Sequence, residues 1–559
     1  MTKGKWISAG WAWAICWLAM LATPAAAIAA SDDPLDRADA SVAQRDEGEE
    51  RDTTSPSATP RLQEASPMRS DPQGSAFVAS AILVEGAGVL PPESFASAIE
   101  PFLGRPLEAA DLRALAGVVA DAARRAGFGL ATAWVPRQEV QGGVLRVRLN
   151  EGRIDEIRST GPAGARVARL LQRLTDGRPA RTPDIERALL LARDLSGVSV
   201  GAARVLREGE RTVLLVETSE DRVSGHASID NWGTSPVGPV RTRAGFDLNG
   251  LAGHGDRLSL SLGITPLNPR EFQLIQAGYG LPVGRSGTEI GVRGWLSRSR
   301  AGAELRSQDI DGDSFEIEAA VSHPFLRSRA RSLWAHLTFG LRDSKLDRAG
   351  VAVRDDRIAT ATGTLYGTGG LLGGISRTRL SLIRGVGLLG ATRDGDPLAS
   401  RADADGRFTK LTAWSDFTAP LGKDFSIRVA GEAQLSSGPL LASEEMGLGG
   451  RSFLRAYDYR EYSGDRGATA ALELRYDPRA LPLPEPIRHA QFYIYADGGR
   501  VTNDGAGSGG GSLASAGGGV RFTLARRLEL GVEVGVPLAD GNSGRRPEPR
   551  LSFTLASRF

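Results

Sequence analysis

The chain has 559 residues, 70 of them Gly, 1 Cys, and 24% charged, with a formal net charge of +2. Many charges, abundant Gly and no long apolar run in the body exclude an α-helical membrane protein and favour short strands between turns. Near-neutrality gives no global basic field for nucleic acid.

The first 29 residues read as an export signal. Lys3 and Lys5 precede a largely apolar stretch from Trp6 to Ala22, and Pro24-Ala25-Ala26-Ala27-Ile28-Ala29-Ala30 offers Ala-x-Ala cleavage sites. An uncleaved inner-membrane anchor is the competing reading. The one cysteine, Cys16, lies inside this segment, so the mature protein is expected to have no disulfide, thiol nucleophile or Cys-based zinc site. Residues 30–75 are expected to be a solvated linker. Within 31–75 there are 11 acidic and 5 basic residues and no aromatic one, too little apolar surface to offset ordering entropy. A short helix within Leu35–Arg51 is the alternative.

Order is expected from Phe77. A strand over Phe77–Val84, a short helix from Pro91 to Phe102, and a second helix with Leu112, Leu115, Val119 and Ala122 on one face come first. Strands Leu130–Val135 and Val144–Leu149 follow, making a β-α-α-β-β unit over 76–153. The pattern recurs over 154–221. There, Thr182-Pro183-Asp184 reads as a helix start with Thr182 as N-cap.

From Val223 onward the period becomes two. Leu258, Leu260, Leu262 and Ile264 alternate with Arg257, Ser259, Ser261 and Gly263, and Leu333 to Arg342 and Leu528 to Val536 behave alike. A soluble sheet also alternates. The run lasts 337 residues, however, follows an export signal and keeps charges on its second face. These features fit a transmembrane barrel with an apolar outside and a polar lumen, closed because hydrocarbon tolerates no open edge. Its length predicts about 16 antiparallel strands over 222–559.

Several motifs then become specific. Val135-Pro136-Arg137-Gln138-Glu139-Val140-Gln141-Gly142-Gly143-Val144-Leu145, followed by Asn150-Glu151-Gly152-Arg153-Ile154, resembles the first polypeptide-transport-associated (POTRA) domain of two-partner-secretion B transporters. These are the haemolysin-activator and filamentous-haemagglutinin exporters. Ser228-Ile229-Asp230-Asn231-Trp232-Gly233 resembles their first barrel strand, and Gly253-His254-Gly255-Asp256 a turn opening a later one. Gly449-Gly450-Arg451-Ser452-Phe453-Leu454-Arg455-Ala456-Tyr457 resembles their inward-folded extracellular loop. Phe492-Tyr493-Ile494-Tyr495-Ala496-Asp497-Gly498-Gly499 resembles the strand that receives its tip. Ala456 stands where the family carries Gly, a change that would strain a left-handed tip.

The resemblance implies an outer-membrane β-barrel of about 16 antiparallel strands preceded by two α+β POTRA domains in the periplasm. It implies a secreted exoprotein as partner, bound unfolded and passed to the cell surface, and requires no cofactor. An assembly insertase of the same superfamily is the alternative, though it would usually carry more POTRA copies. A porin has no use for periplasmic domains. The loop motif points to Gly449, Gly450, Phe453, Leu454 and Tyr457, and the POTRA motif to Pro136, Gln138, Gly142 and Gly152. Strand parity puts Asp497 on the lumen face, so a bidentate ion pair with Arg455 is expected. Within 35–51, a helix would fill more of the lumen.

Enzymatic readings find little support. His226, His254, His323, His336 and His489 are scattered, and none has a His-Glu-x-x-His spacing. The runs Gly507–Gly511 and Gly517–Gly519 lack the Lys-Ser/Thr of a phosphate loop, and read as a mobile loop and a closely packed strand. Glu444-Glu445 has two readings, a catalytic couple or, as neighbouring loop acids usually are, a solvated pair.

Overall fold

A computed structural model describes residues 62–63, 77–208, 211–479, 482–505, 509–525 and 527–559. The export signal and the helix expected within 35–51 lie outside these residues.

The first unit contains β1 (Ala81–Glu85), α1 (Ala109–Arg125), β2 (Thr132–Trp134) and β3 (Val144–Asn150). The sheet order is β1-β3-β2, parallel and then antiparallel. A capping box of Glu108 and Asp111 opens α1. Its Leu112, Leu115, Val119 and Ala122 pack on Leu145 and Val147 of the sheet. The expected strand from Phe77 breaks at Ala79-Ser80, and Phe77–Val78 pairs with Pro106–Leu107 instead. The expected helix ending at Phe102 forms as three successive short turns, Pro92–Phe95, Ala96–Ile99 and Glu100–Phe102.

The second unit contains β4 (Glu156–Thr160), α2 (Gly164–Leu171), α3 (Thr182–Arg193), β5 (Val198–Glu208) and β6 (Arg211–Glu220). Leu62–Gln63 adds a short parallel strand to β5. Thr182 is not the N-cap, which is Arg181. Its hydroxyl instead accepts the Gly129 N–H at 3.0 Å, and its own N–H donates to Gly127 O at 2.9 Å. Those two bonds join the units, and they outbid the local cap because they satisfy backbone groups of another chain segment.

Residues 223–558 form a closed barrel. Its first eight strands are β7 (Val223–Asp230), β8 (Arg241–Asn249), β9 (Arg257–Ile264), β10 (Phe272–Val283), β11 (Thr288–Arg300), β12 (Ile310–Arg327), β13 (Arg331–Arg348) and β14 (Val351–Leu371). The other eight are β15 (Gly374–Val386), β16 (Thr409–Pro420), β17 (Phe425–Ser436), β18 (Arg466–Tyr476), β19 (Ile487–Thr502), β20 (Gly511–Leu524), β21 (Leu528–Pro537) and β22 (Arg550–Arg558). Neighbours pair antiparallel, and β22 closes on β7. The expected period-two alternation has the expected meaning. Leu262, Ile275, Leu296, Leu337 and Ile494 point outward and are exposed, whereas their polar neighbours point into the lumen.

Because β6 runs directly into β7, the start of β7 faces the two N-terminal units, and each odd strand of the barrel leads away from them. The second unit is bolted to that end. Arg327 grips Asp194 through Nε and Nη2 at 2.8 and 2.7 Å, and Arg187 Nη2 donates to Pro324 O at 2.6 Å. The Gly253-His254-Gly255-Asp256 turn lies at the same end, its Gly255 against Leu195. Fully buried Asp256 accepts from the Ala252 and His254 N–H groups and from Tyr279 Oη at 3.2 Å. Burial opposes its charge, but the backbone donors and Tyr279 outweigh this and hold the carboxyl below the usual range.

The seam between β7 and β22 is short. The ladder runs from His226↔Arg558 to Asp230↔Thr554. Beyond it the Asn231 side chain acts as one more strand residue, donating to Leu551 O at 2.8 Å and accepting the Phe553 N–H at 2.7 Å. At the other end Phe559 exchanges two backbone bonds with Gly225 and lays its ring where a Cβ of residue 225 would sit.

Two outcomes are expected. Asn231→Ala orphans two backbone groups at about 1–3 kcal/mol each, so it should lower the temperature at which the heat-modifiable gel band is lost. Asp256, with its lowered pKa, contributes stability that is present above the unfolded value near ~4 and is lost as pH falls through the folded value. Asp256→Asn should therefore flatten the acid limb of band stability measured between about pH 5 and about pH 2.5.

Candidate functional site: a loop tip locked inside the barrel

The loop from 437 to 465, between β17 and β18, turns into the barrel. Met446–Leu448 pairs with Tyr462–Gly464 to make its stem. Leu448, Leu454, Ala456, Tyr457 and Tyr462 pack on Val501 and Leu513 of the wall, and Phe453 packs on Ala430, Ala471 and Trp414. Gly449 and Gly450 have φ near 104° and 102°, and a Cβ on Gly449 would strike the Asp458 carbonyl. The left-handed residue of the tip is Leu454, at φ 57°. Ala456 is not left-handed, so the strain expected there does not arise. Its backbone instead lies against Gly535 of β21, where any Cβ would collide.

Arg455 is the centre of the tip, and its side chain is buried. Its Nε meets Asp497 Oδ2 at 3.2 Å, and its Nη1 meets Glu473 Oε2 at 3.0 Å and Glu533 Oε2 at 3.2 Å. The expected bidentate pair therefore becomes a fork divided among carboxylates on β19, β18 and β21. The reason is register: Glu473 lies opposite Tyr495, and Glu533 opposite Gly519, which itself lies opposite Tyr493. The guanidinium also sits 3.3 Å from the centre of the Tyr495 ring. Asp497 is 6% exposed, whereas Ile494 on the outer face is 64% exposed.

The charges balance locally. Arg475 Nε donates to Glu473 at 2.6 Å and Arg521 Nη1 at 2.9 Å. Tyr493 Oη donates to Glu533 at 2.7 Å, and the Ser515 hydroxyl donates to Asp497. Three guanidinium groups thus meet three carboxylates. Side-chain room comes from Gly517 and Gly519, where a Cβ would collide with the Tyr495 and Tyr493 rings, so the expected close packing of that strand has a specific purpose. Of the other glycine run, residues 507 and 508 lie outside the described residues, and Gly511 begins β20.

Tyr457 anchors the tip further out, with its hydroxyl 3.0 Å from Ala514 O and 2.7 Å from Ala539 O. Arg550 bonds Asp458 Oδ1 at 2.6 Å and Tyr457 O at 3.2 Å, while its Nη2 donates to Asn231 O at 3.1 Å. The loop is thereby tied to the barrel seam. Its root corrects the reading of Glu444 and Glu445 as solvated acids, since both are buried. Glu444 pairs with Lys410 at 2.8 Å and Arg342 at 3.0 Å, and Glu445 pairs with Arg401 at 2.9 Å and Arg460 at 3.1 Å.

The POTRA motif residues lie outside this site and hold their own unit together. The Gln138 amide accepts the Arg146 N–H at 2.9 Å and donates to Arg146 O at 2.7 Å, replacing a strand along β3, and also reaches Pro136 O at 3.3 Å. Gly142 has φ 63°. Gly152 has φ 86° and presses on Leu130. Glu151, between the units, accepts the N–H groups of Gly88, Val89 and Leu90. Sequence reasoning did not single out Glu473, Glu533, Arg475 or Arg521. Parity alone would have placed them on the lumen face, but their meeting point depends on register.

A closed barrel with a polar lumen, an extracellular loop locked inside it and two β-α-β units at its mouth defines a POTRA-bearing outer-membrane transporter of the two-partner-secretion class. The chain belongs to the haemolysin secretion/activation protein ShlB/FhaC/HecB family, which it matches over residues 209–522; residues 77–152 match the ShlB-type POTRA domain. It is 24% identical over 482 residues to the heme/hemopexin transporter protein HuxB of Haemophilus influenzae strain 86-028NP, covering 84% of each chain. It is 25% identical over 437 residues to the outer membrane transporter CdiB of Escherichia coli strain 536, covering 74% of this chain and 72% of that one. The solved structure of CdiB from Escherichia coli superposes with a TM-score of 0.72 at 22% identity, over 95% of this chain and 100% of that one.

Removing one partner of a buried charge pair leaves the others uncompensated, at about 3–5 kcal/mol. Arg455→Ala and Asp497→Ala should each cripple export of a partner protein while barrels still insert, and the double variant should be no worse than either single. Arg455→Lys should rescue little, because one ammonium does not span three carboxylates in the same plane. Additive export defects would show that Arg455 and Asp497 act separately.

Proposed function

We propose that this transporter captures its exoprotein as an unfolded chain at the POTRA units and passes it through the lumen once the locked loop withdraws. The observation that carries this reading is the loop itself: an extracellular segment turns into the lumen, and its tip is held there by the Arg455 ion pairs together with Tyr457 and Arg550. Ion pairs of this kind re-solvate when the tip moves into water, so the plug is removable without unfolding the wall.

Capture is assigned to an open strand edge. Among the described residues no strand pairs with the outer edge of β1, and Leu83 on that strand is exposed. An extended client adds there through backbone hydrogen bonds, which ask little of its sequence. The second unit, gripped by Arg327 and Arg187, hands the client to the barrel mouth. Folding of the client outside the cell supplies direction, since the sequence carries no nucleotide-binding loop.

The test is cross-linking during stalled export. A photoreactive residue at Leu83 and one at Tyr366 in the lumen should both trap the same client. Deletion of 76–150 should abolish export and both cross-links while leaving a folded, heat-modifiable barrel. Export that persists after the deletion would remove capture from the first unit, and a client trapped at Leu83 but never at Tyr366 would remove the lumen from the path.

A further inference from the structure

On the outside of the barrel a groove of about 710 Å³ crosses the strands from β10 to β15. It follows one register row, Tyr279, Val292, Ala319, Phe339, Ala361 and Arg384. Small side chains at Ala319, Ala361 and neighbouring Gly363 form its floor, while Tyr279, Leu337 and Phe339 stand up as walls. The row climbs. Tyr279 lies near the POTRA-side end of β10, and Arg384 near the far end of β15. The groove therefore ends, on the side away from the periplasm, at an exposed cation.

That cation differs from several others near the same rim. Arg298 pairs with Asp313, Arg300 with Asp309, Lys345 with Asp355 and Arg357 with Asp343. Arg384 has no carboxylate among the described residues. Its Nη1 donates to Thr409 Oγ1 at 2.5 Å and reaches Phe408 O at 3.5 Å. These contacts fix the guanidinium at the groove's mouth and leave Nε and Nη2 to a ligand from outside. An apolar trough with a held, unneutralised guanidinium at its outer-leaflet end complements a molecule with a hydrocarbon chain below and a phosphate above.

We propose that this groove seats one acyl chain of the lipid A part of lipopolysaccharide, with Arg384 on a lipid A phosphate. An ordinary phospholipid of the inner leaflet would put its headgroup at the Tyr279 end, where the groove offers no cation.

Native mass spectrometry of the full purified chain, titrated with bisphosphorylated lipid A, dephosphorylated lipid A or phosphatidylglycerol, tests this. Bisphosphorylated lipid A should bind best, and Arg384→Ala should weaken it by about tenfold or more, with dephosphorylated lipid A insensitive to that change. Gly363→Leu should weaken both forms of lipid A by filling the floor; a Cβ there meets only Leu337, at 3.8 Å, so the barrel keeps its fold. Arg298→Ala should change nothing. Equal binding of bisphosphorylated lipid A by the wild type and Arg384→Ala would overturn the proposal, as would phosphatidylglycerol binding with the same affinity and the same dependence on Arg384. A dimer that persists in every lipid and is lost in Gly363→Leu would assign the groove to a second copy instead.

Discussion

A strand crossing hydrocarbon has no water to satisfy its backbone, so every N–H and C=O within the apolar belt must find a partner in the wall. The rest of this molecule depends on that requirement. Closure makes the first and last barrel strands neighbours although the chain joins them only through everything between. The seam they form is the place where chain geometry runs short of residues, and β7 ends before β22 is fully paired. The Asn231 amide and the Phe559 main chain complete the ladder there. Gln138 applies the same device to β3 of the first POTRA unit. In both places a primary amide replaces a peptide group, because it carries one donor and one acceptor at similar spacing.

Closure also creates the problem that the inward loop solves. A barrel of about this size encloses an aqueous lumen unless something occupies it. An apolar plug would be held by buried area and would resist leaving. Here apolar packing around Leu448 and Tyr457 is joined to buried ion pairs, whose partners are individually expensive to strand yet collectively neutral. The tip belongs to one cluster, Arg455 with Glu473, Asp497 and Glu533, and the root to another, Glu444 and Glu445 with Lys410, Arg342, Arg401 and Arg460. Arg550 joins the tip region to the seam, so the plug and the closure of the wall share a residue. Membership of the two-partner-secretion family gives this arrangement its setting, an outer-membrane transporter whose cargo is a secreted protein.

The two N-terminal units are fixed at the mouth by interactions of another kind. Arg327, Arg187 and the packing of Leu195 on the 253–256 turn bind the second unit to the barrel. Thr182, Gly127 and Gly129 bind the two units to each other. Thr182 shows how a local rule yields to tertiary context: its hydroxyl accepts the Gly129 N–H of the first unit and does not cap its own helix.

Much of the architecture was legible because it follows from short-range periodicity. Alternation with period two distinguished outward Leu262, Ile275 and Leu337 from their lumen neighbours. Parity alone put Tyr493, Tyr495 and Asp497 on one face, and the ordered motifs named Arg455 and the POTRA residues. Local pattern also misled in defined ways. It made Glu444 and Glu445 look solvated, because nothing near them in sequence reveals Arg342 or Arg401 across the lumen. The family resemblance placed the tip's strain at Ala456, whereas the fold turns at Leu454 and uses Gly535 to admit Ala456. Local pattern gave Arg455 one partner and not three, since Glu473 and Glu533 meet it only through the register of β18 against β19 and β20 against β21. The sequence by itself determined which residues face oil and which face the lumen, because that depends on neighbours two residues apart, and the length of the alternating segment set about how many strands the chain must close. Only the tertiary structure decided which buried charges meet, because that depends on strand stagger and on how deep one loop reaches, and both are set by contacts between residues far apart in the chain.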